Sequence, residues 1–83
     1  MRIMYFAWLR SRIGLAEEEV SPPDGVTSVR QLMDWLKTRS PGHASAFENP
    51  LLVRAAINQD YATPDAPVAA GDEVAFFPPV TGG

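Results

Sequence analysis

The sequence predicts an α+β fold, a mixed sheet of four to five strands with one main helix packed on one face. Three observations predict it. Apolar runs of strand length lie near both ends of the 83-residue chain, at Arg2 to Trp8 and Glu73 to Phe77. One stretch, Ser28 to Arg39, carries an apolar stripe at helical spacing. Turn-forming clusters at Ser21-Pro22-Pro23-Asp24-Gly25, Asn58-Gln59-Asp60 and Gly71-Asp72 separate short extended segments. A single helix laid on one face of a sheet is a two-layer arrangement that encloses a small core.

Arg2 to Trp8 is nearly all apolar, as a central strand covered on both faces requires. Trp8 to Ile13 suits a single helical turn, with Gly14 as its stop. Leu15 to Val20 holds three consecutive glutamates, Glu17 to Glu19, and reads as an edge strand whose charge discourages unwanted pairing. A solvated face explains that acidic run better than a metal site does. In the helix, Ser28 is a candidate N-cap with Gln31 completing a capping box, and Thr27 is the alternative cap. Val29, Leu32, Met33 and Leu36 form the buried stripe, Trp35 lies off its centre, and Pro41-Gly42 is expected to close the element. His43 to Pro50 reads as a connector with a helical turn at Ala44 to Phe47, and His43, the only histidine, as a loop residue. Leu51 to Ile57 alternates as a third strand. A short strand is expected near Pro67 to Ala69, and Glu73 to Phe77 is the last strand. The first and last strands are the most apolar and are expected side by side in the middle. This order of elements is that of the β-grasp fold, as in ubiquitin.

The composition is that of one ordinary globular domain, 46% hydrophobic and 20% charged. The absence of cysteine excludes disulfides, thiolate metal sites and a cysteine nucleophile, and fits a reducing, cytoplasmic compartment. A formal charge of −3 without a basic block argues against nucleic acid, whose phosphates call for clustered Lys and Arg. The apolar run Ile3 to Leu9 is too short to span a membrane. No cysteine or histidine pair, phosphate loop or zinc spacing is present, and the scattered aspartates suit turns. Self-contained catalysis is therefore not expected, and no bound cofactor or metal is.

The segment Phe76-Phe77-Pro78-Pro79-Val80-Thr81-Gly82-Gly83 divides the chain into a folded domain, residues 1–77, and an extended tail, residues 78–83. Pro78 and Pro79 stop the strand and stiffen the start of the tail. Gly82 and Gly83 carry no Cβ, so foreign walls can approach their backbone closely. From Pro79 to Gly83 the reach is about 17 Å at about 3.4 Å per residue, enough to enter a neighbour's buried site. A carboxylate is a poor electrophile, but joined to AMP it becomes an acyl group open to sulfur or nitrogen. The ATP for that step has to be used by a partner. The plain alternative is a frayed end.

Gly71 to Gly83 resembles the C-terminal signature of the small subunit of molybdopterin synthase. Tyr5-Phe6-Ala7-Trp8-Leu9-Arg10, with Gly14 after it, resembles that family's first strand and turn, and Ile57-Asn58-Gln59 resembles its Val-Asn-Gln segment. Ala16 to Pro50 is only generically similar, and Ser11 stands where many relatives carry an acidic residue. The resemblance implies a ubiquitin-like sulfur carrier. An E1-like adenylyltransferase, using ATP, would activate Gly83, and a sulfur donor enzyme would convert it to a thiocarboxylate. The large synthase subunit would then receive the tail and pass the sulfur to cyclic pyranopterin monophosphate, within a heterotetramer whose catalytic lysines it supplies. Gly83 would carry the sulfur, Gly82 keep the channel clear, Val80 and Thr81 line the insertion path, and Pro78 and Pro79 hold the tail extended. Phe6, Tyr61 and Phe77 are candidates for an aromatic patch at the partner interface, with Arg10 at its rim; the competing reading places the three rings in the core. A thiamin-type sulfur carrier and a ubiquitin-like protein modifier are the alternative functions.

Overall fold

The computed structural model describes residues 1–79. Strand β1, Arg2–Tyr5, runs into helix α1, Trp8–Ile13, and then strand β2, Glu17–Glu19. Helix α2, Val29–Leu36, is followed by helix α3, Pro41–Ala46, and a 3₁₀ turn, Pro50–Leu52. Strands β3, Arg54–Ile57, β4, Asp60–Ala62, and β5, Glu73–Phe77, complete a five-stranded mixed sheet in the order β2-β1-β5-β3-β4. The expected central pair is present: β1 and β5 run parallel, with Ile3 opposite Val74 and Tyr5 opposite Phe76. β2 lies on the edge.

Side chains alternate across a strand, so the register sorts them into two faces. Ile3, Tyr5, Val74, Phe76 and Ala55 point to the inner face, where they join Val29, Leu32, Met33 and Leu36 of α2 in one buried cluster. Tyr5, Phe47 and Phe76 form its aromatic centre, with the Phe47 and Phe76 rings edge to face at 5.0 Å. The α2 stripe is buried as the spacing requires, and Trp35 is half-buried beneath the Arg39 guanidinium. Ser28 caps α2 by accepting the Gln31 N–H. The Gln31 side chain closes the box one residue early, accepting the N–H and the hydroxyl of Thr27.

Five local expectations are corrected. β1 ends at Tyr5 instead of Trp8, because Ala7 takes φ 55° and ψ −133° and turns the chain into α1. Pro41-Gly42 opens α3 and does not close α2. Ser40 is the N-cap and Pro41 needs no N–H in the first turn. Gly42 sits where a Cβ would collide with the Arg12 carbonyl, so this glycine lets α1 and α3 approach closely. His43 is a buried residue of α3, where the sequence placed a loop. Leu51 and Leu52 leave the third strand for the 3₁₀ turn, so β3 begins at Arg54. The short strand is Asp60–Ala62, pairing with β3 after the turn, whereas Pro67 makes a single bridge to Ser28. Asn58 and Gln59 both take positive φ, 50° and 75°, which suits a tight two-residue hairpin turn.

The turn is tied to the start of β5. Asn58 donates its backbone N–H to the Glu73 carbonyl at 2.7 Å, and its side-chain oxygen accepts the Glu73 N–H at 3.0 Å. The Asn58 amide also donates to Asp72, whose other oxygen accepts the Ala69 N–H. The β3–β4 hairpin, whose outer strand is the sheet edge, is thereby anchored to the strand that leads into the tail.

Candidate functional site

The outer face of the sheet has no helix over it among the described residues. The register places Met4, Ala75, Ala56, Phe77 and Tyr61 on this face. Phe6 joins them: its N–H donates to the Phe76 carbonyl at 3.1 Å, which extends the parallel ladder and sets Phe6 opposite Phe77. The Tyr61 and Phe77 rings meet edge to face with centroids 5.9 Å apart. Tyr61 is 84% exposed and Phe6 44% exposed. Phe77 is half-buried. The core alternative for these rings is therefore excluded for Tyr61 and Phe6. The core aromatics are Tyr5, Phe47 and Phe76.

Charge frames the apolar strip. Arg2 and Glu17 form an ion pair towards the β2 edge, and Arg54 lies opposite Phe77 on the other side. A shallow hollow of about 420 Å³ opens beside the ring pair, lined by Arg54, Tyr61, Thr63 and Phe77 among others. Large apolar rings exposed in a contiguous patch mark an interaction surface. β5 leaves this face directly into Pro78 and Pro79, both half-buried. Val80, Thr81, Gly82 and Gly83 lie outside the described residues. Arg10 is exposed on the last turn of α1, and no carboxylate pairs with it among the described residues.

On the inner side, sequence reasoning missed a polar cluster. Glu18 of the acidic run faces inward, with only 12% of its side chain exposed. One of its oxygens lies 2.7 Å from both the Tyr5 hydroxyl, which donates to it, and His43 Nε2. Its other oxygen accepts from Arg39 at 3.3 Å. His43 Nδ1 lies 2.7 Å from Ser40 Oγ. Burial pushes the Glu18 carboxyl up, but the bonds from His43 and Tyr5, with the His43 and Arg39 charges, hold it below the usual range. Burial and the Glu18 bond together push the Tyr5 hydroxyl far up. The cluster joins β1, β2 and α3. Sequence separation of 25 residues between Glu18 and His43 hid the pairing.

Residues 3–83 match the ThiS family. The chain belongs to the ThiS family. This ThiS-family chain is 39% identical over 83 residues to the molybdopterin synthase sulfur carrier subunit of Escherichia coli, covering all of this chain and 99% of that one. A chain named molybdopterin converting factor, subunit 1, from Pyrococcus furiosus superposes with a TM-score of 0.77 and 33% identity, covering 95% of each chain. Small archaeal modifier protein 1 of Haloferax volcanii superposes with a TM-score of 0.73 and 29% identity, over 96% of this chain and 97% of that one. The ThiS-family chain is thus a β-grasp, ubiquitin-like sulfur carrier by family, as the resemblance implied. No helix among its described residues is long and apolar enough to cross a membrane.

Proposed function

We propose that this chain is the sulfur carrier subunit of a molybdopterin synthase, acting in the cytoplasm and paired with a large subunit in a heterotetramer. The likeness over its whole length to the E. coli sulfur carrier subunit carries this reading. The geometry suits it, since the central strand β5 leads straight into Pro78 beside an exposed aromatic face. In the proposed cycle an E1-like partner binds ATP, and an oxygen of the Gly83 carboxylate bonds to the α-phosphorus as pyrophosphate leaves. Sulfide-level sulfur released by a donor enzyme then adds to the acyl carbon and AMP leaves with the C–O bond electrons, giving the thiocarboxylate. Pro78, Pro79, Val80, Thr81 and Gly82 carry that group into the large subunit, where the sulfur bonds to cyclic pyranopterin monophosphate and water then cleaves its bond to the Gly83 acyl carbon, restoring the carboxylate. Phe6, Tyr61 and Phe77 provide the docking surface, where rigid aromatic side chains concentrate binding energy. Arg10 is a rim contact. The stiff prolines reduce the ordering cost of insertion.

The likeness to small archaeal modifier protein 1 favours a second reading, a protein modifier joined to lysines. Mass spectrometry of the chain isolated from cells separates the two. A C-terminal peptide heavier by the difference between sulfur and oxygen is expected for the carrier. A lysine isopeptide without any thiocarboxylate would overturn the carrier reading.

A further inference from the structure

A second apolar surface lies round the corner from the aromatic face. A groove of about 300 Å³ runs between α2 and the start of β3, floored by Val29, Met33, Val53 and Ala62. Leu51 forms part of its wall and is 77% exposed; the neighbouring Leu52 is 50% exposed. The strand pattern called for these leucines in the sheet, yet the 3₁₀ turn holds them in solvent. Three of the chain's seven basic residues, Arg30, Lys37 and Arg54, line the groove against one carboxylate, Asp34, in a protein of net charge −3. Arg30 meets Asp65 at 3.5 Å and Lys37 meets Asp34 at 3.6 Å, both in exposed pairs that water screens well. Arg54 has no ion-pair partner among the described residues; one of its nitrogens reaches the Leu51 carbonyl. Arg54, Ala55 and Ala62 also line the hollow beneath Tyr61 and Phe77, so groove and aromatic face are continuous.

We infer that the groove docks an acidic, apolar segment of the protein that receives the tail. Its large apolar side chain would lie over Leu51 and Met33, and its carboxylates would meet Arg54, Lys37 and Arg30. The receiving protein then grips the domain on two sides of the β4 edge, which fixes the direction in which Pro78 and Pro79 leave. This inference rests on the reading of the chain as a tail donor.

The test is calorimetry of the full chain with its purified large synthase subunit, at low and high salt. Leu51→Asp, Lys37→Glu and Phe77→Ala are compared with the unaltered chain. Leu51 is exposed, so Leu51→Asp is expected to keep the wild-type melt. Leu51→Asp is expected to weaken binding about tenfold, as an interface anchor would. Lys37→Glu is expected to weaken it severalfold at low salt, with the difference shrinking at high salt as charges are screened. If both groove variants bind as the unaltered chain does while Phe77→Ala binds more weakly, the groove is not part of the interface and the carrier reading stands. Sedimentation showing that Leu51→Asp breaks up a self-associated form of the chain alone would also overturn the proposal, in favour of a second copy as occupant. No binding by the unaltered chain would defeat the carrier reading itself, and the groove proposal with it.

Discussion

Ala7 is the residue at which backbone geometry is least comfortable. With φ 55° and ψ −133° it occupies a region that side chains other than glycine rarely adopt. Such strain costs on the order of 1–3 kcal/mol, against about 0.5–1 kcal/mol for the extra freedom glycine loses on folding. Ala7→Gly is therefore expected to stabilise the domain by about 1 kcal/mol, which for a chain of this size raises the melting temperature by about 4–8 °C. A lower melting temperature would show that no strain is stored there. The same kink follows the end of β1 at Tyr5 and leaves the Phe6 ring on the open face. Residue identity alone does not disclose this: an alanine between Phe6 and Trp8 carries no sign of positive φ. Tyr61, Phe77 and Phe6 were legible as a patch only through the family resemblance, because exposure depends on a register that a single strand does not encode.

At the scale of elements, the α2 stripe, its Ser28 cap and the β5 run were readable because each depends on neighbours within one helical turn or one strand. The α3 helix was legible only as a turn at Ala44 to Phe47, not as an element starting at Pro41. Its short length and its Pro41-Gly42 start look like a helix ending, and its reason to exist is tertiary, through Phe47 in the core and His43 against Glu18. That contact gives α3 and the edge strand β2 a shared dependence on protons. Glu18 is held below the ordinary glutamate range in the folded state, so the unfolded chain takes up the proton first. Its contribution is complete above the unfolded value of about 4.3 and is lost as pH falls through the lower folded value. Urea melts are expected to show a steep loss of stability on acidification below about pH 5, and Glu18→Gln is expected to flatten that slope. At neutral pH the same substitution is expected to cost about 1–3 kcal/mol, since three donors lose an ionised acceptor. An unchanged acid slope would mean that other carboxylates govern acid unfolding.

For the whole molecule, the described fold ends its last strand at Phe77, and the proposed chemistry lies beyond it. Deleting Gly83 is accordingly expected to abolish sulfur transfer and to leave the thermal melt unchanged. A large loss of stability would show that the tail holds the fold together. The central place of the first and last strands was recoverable from apolar content. Which face would stay uncovered, and where Leu51 and Leu52 would go, depended on how the layers close.

Among the described residues, β1 pairs only with β2 and β5, and β3 pairs only with β4 and β5. Without its final strand the sheet is two separate pairs with no ladder between them. A chain still being synthesised cannot join those halves until β5 has left the ribosome. The two halves become one surface only when β5 is in place, so a partner that contacts both at once binds only the finished sheet.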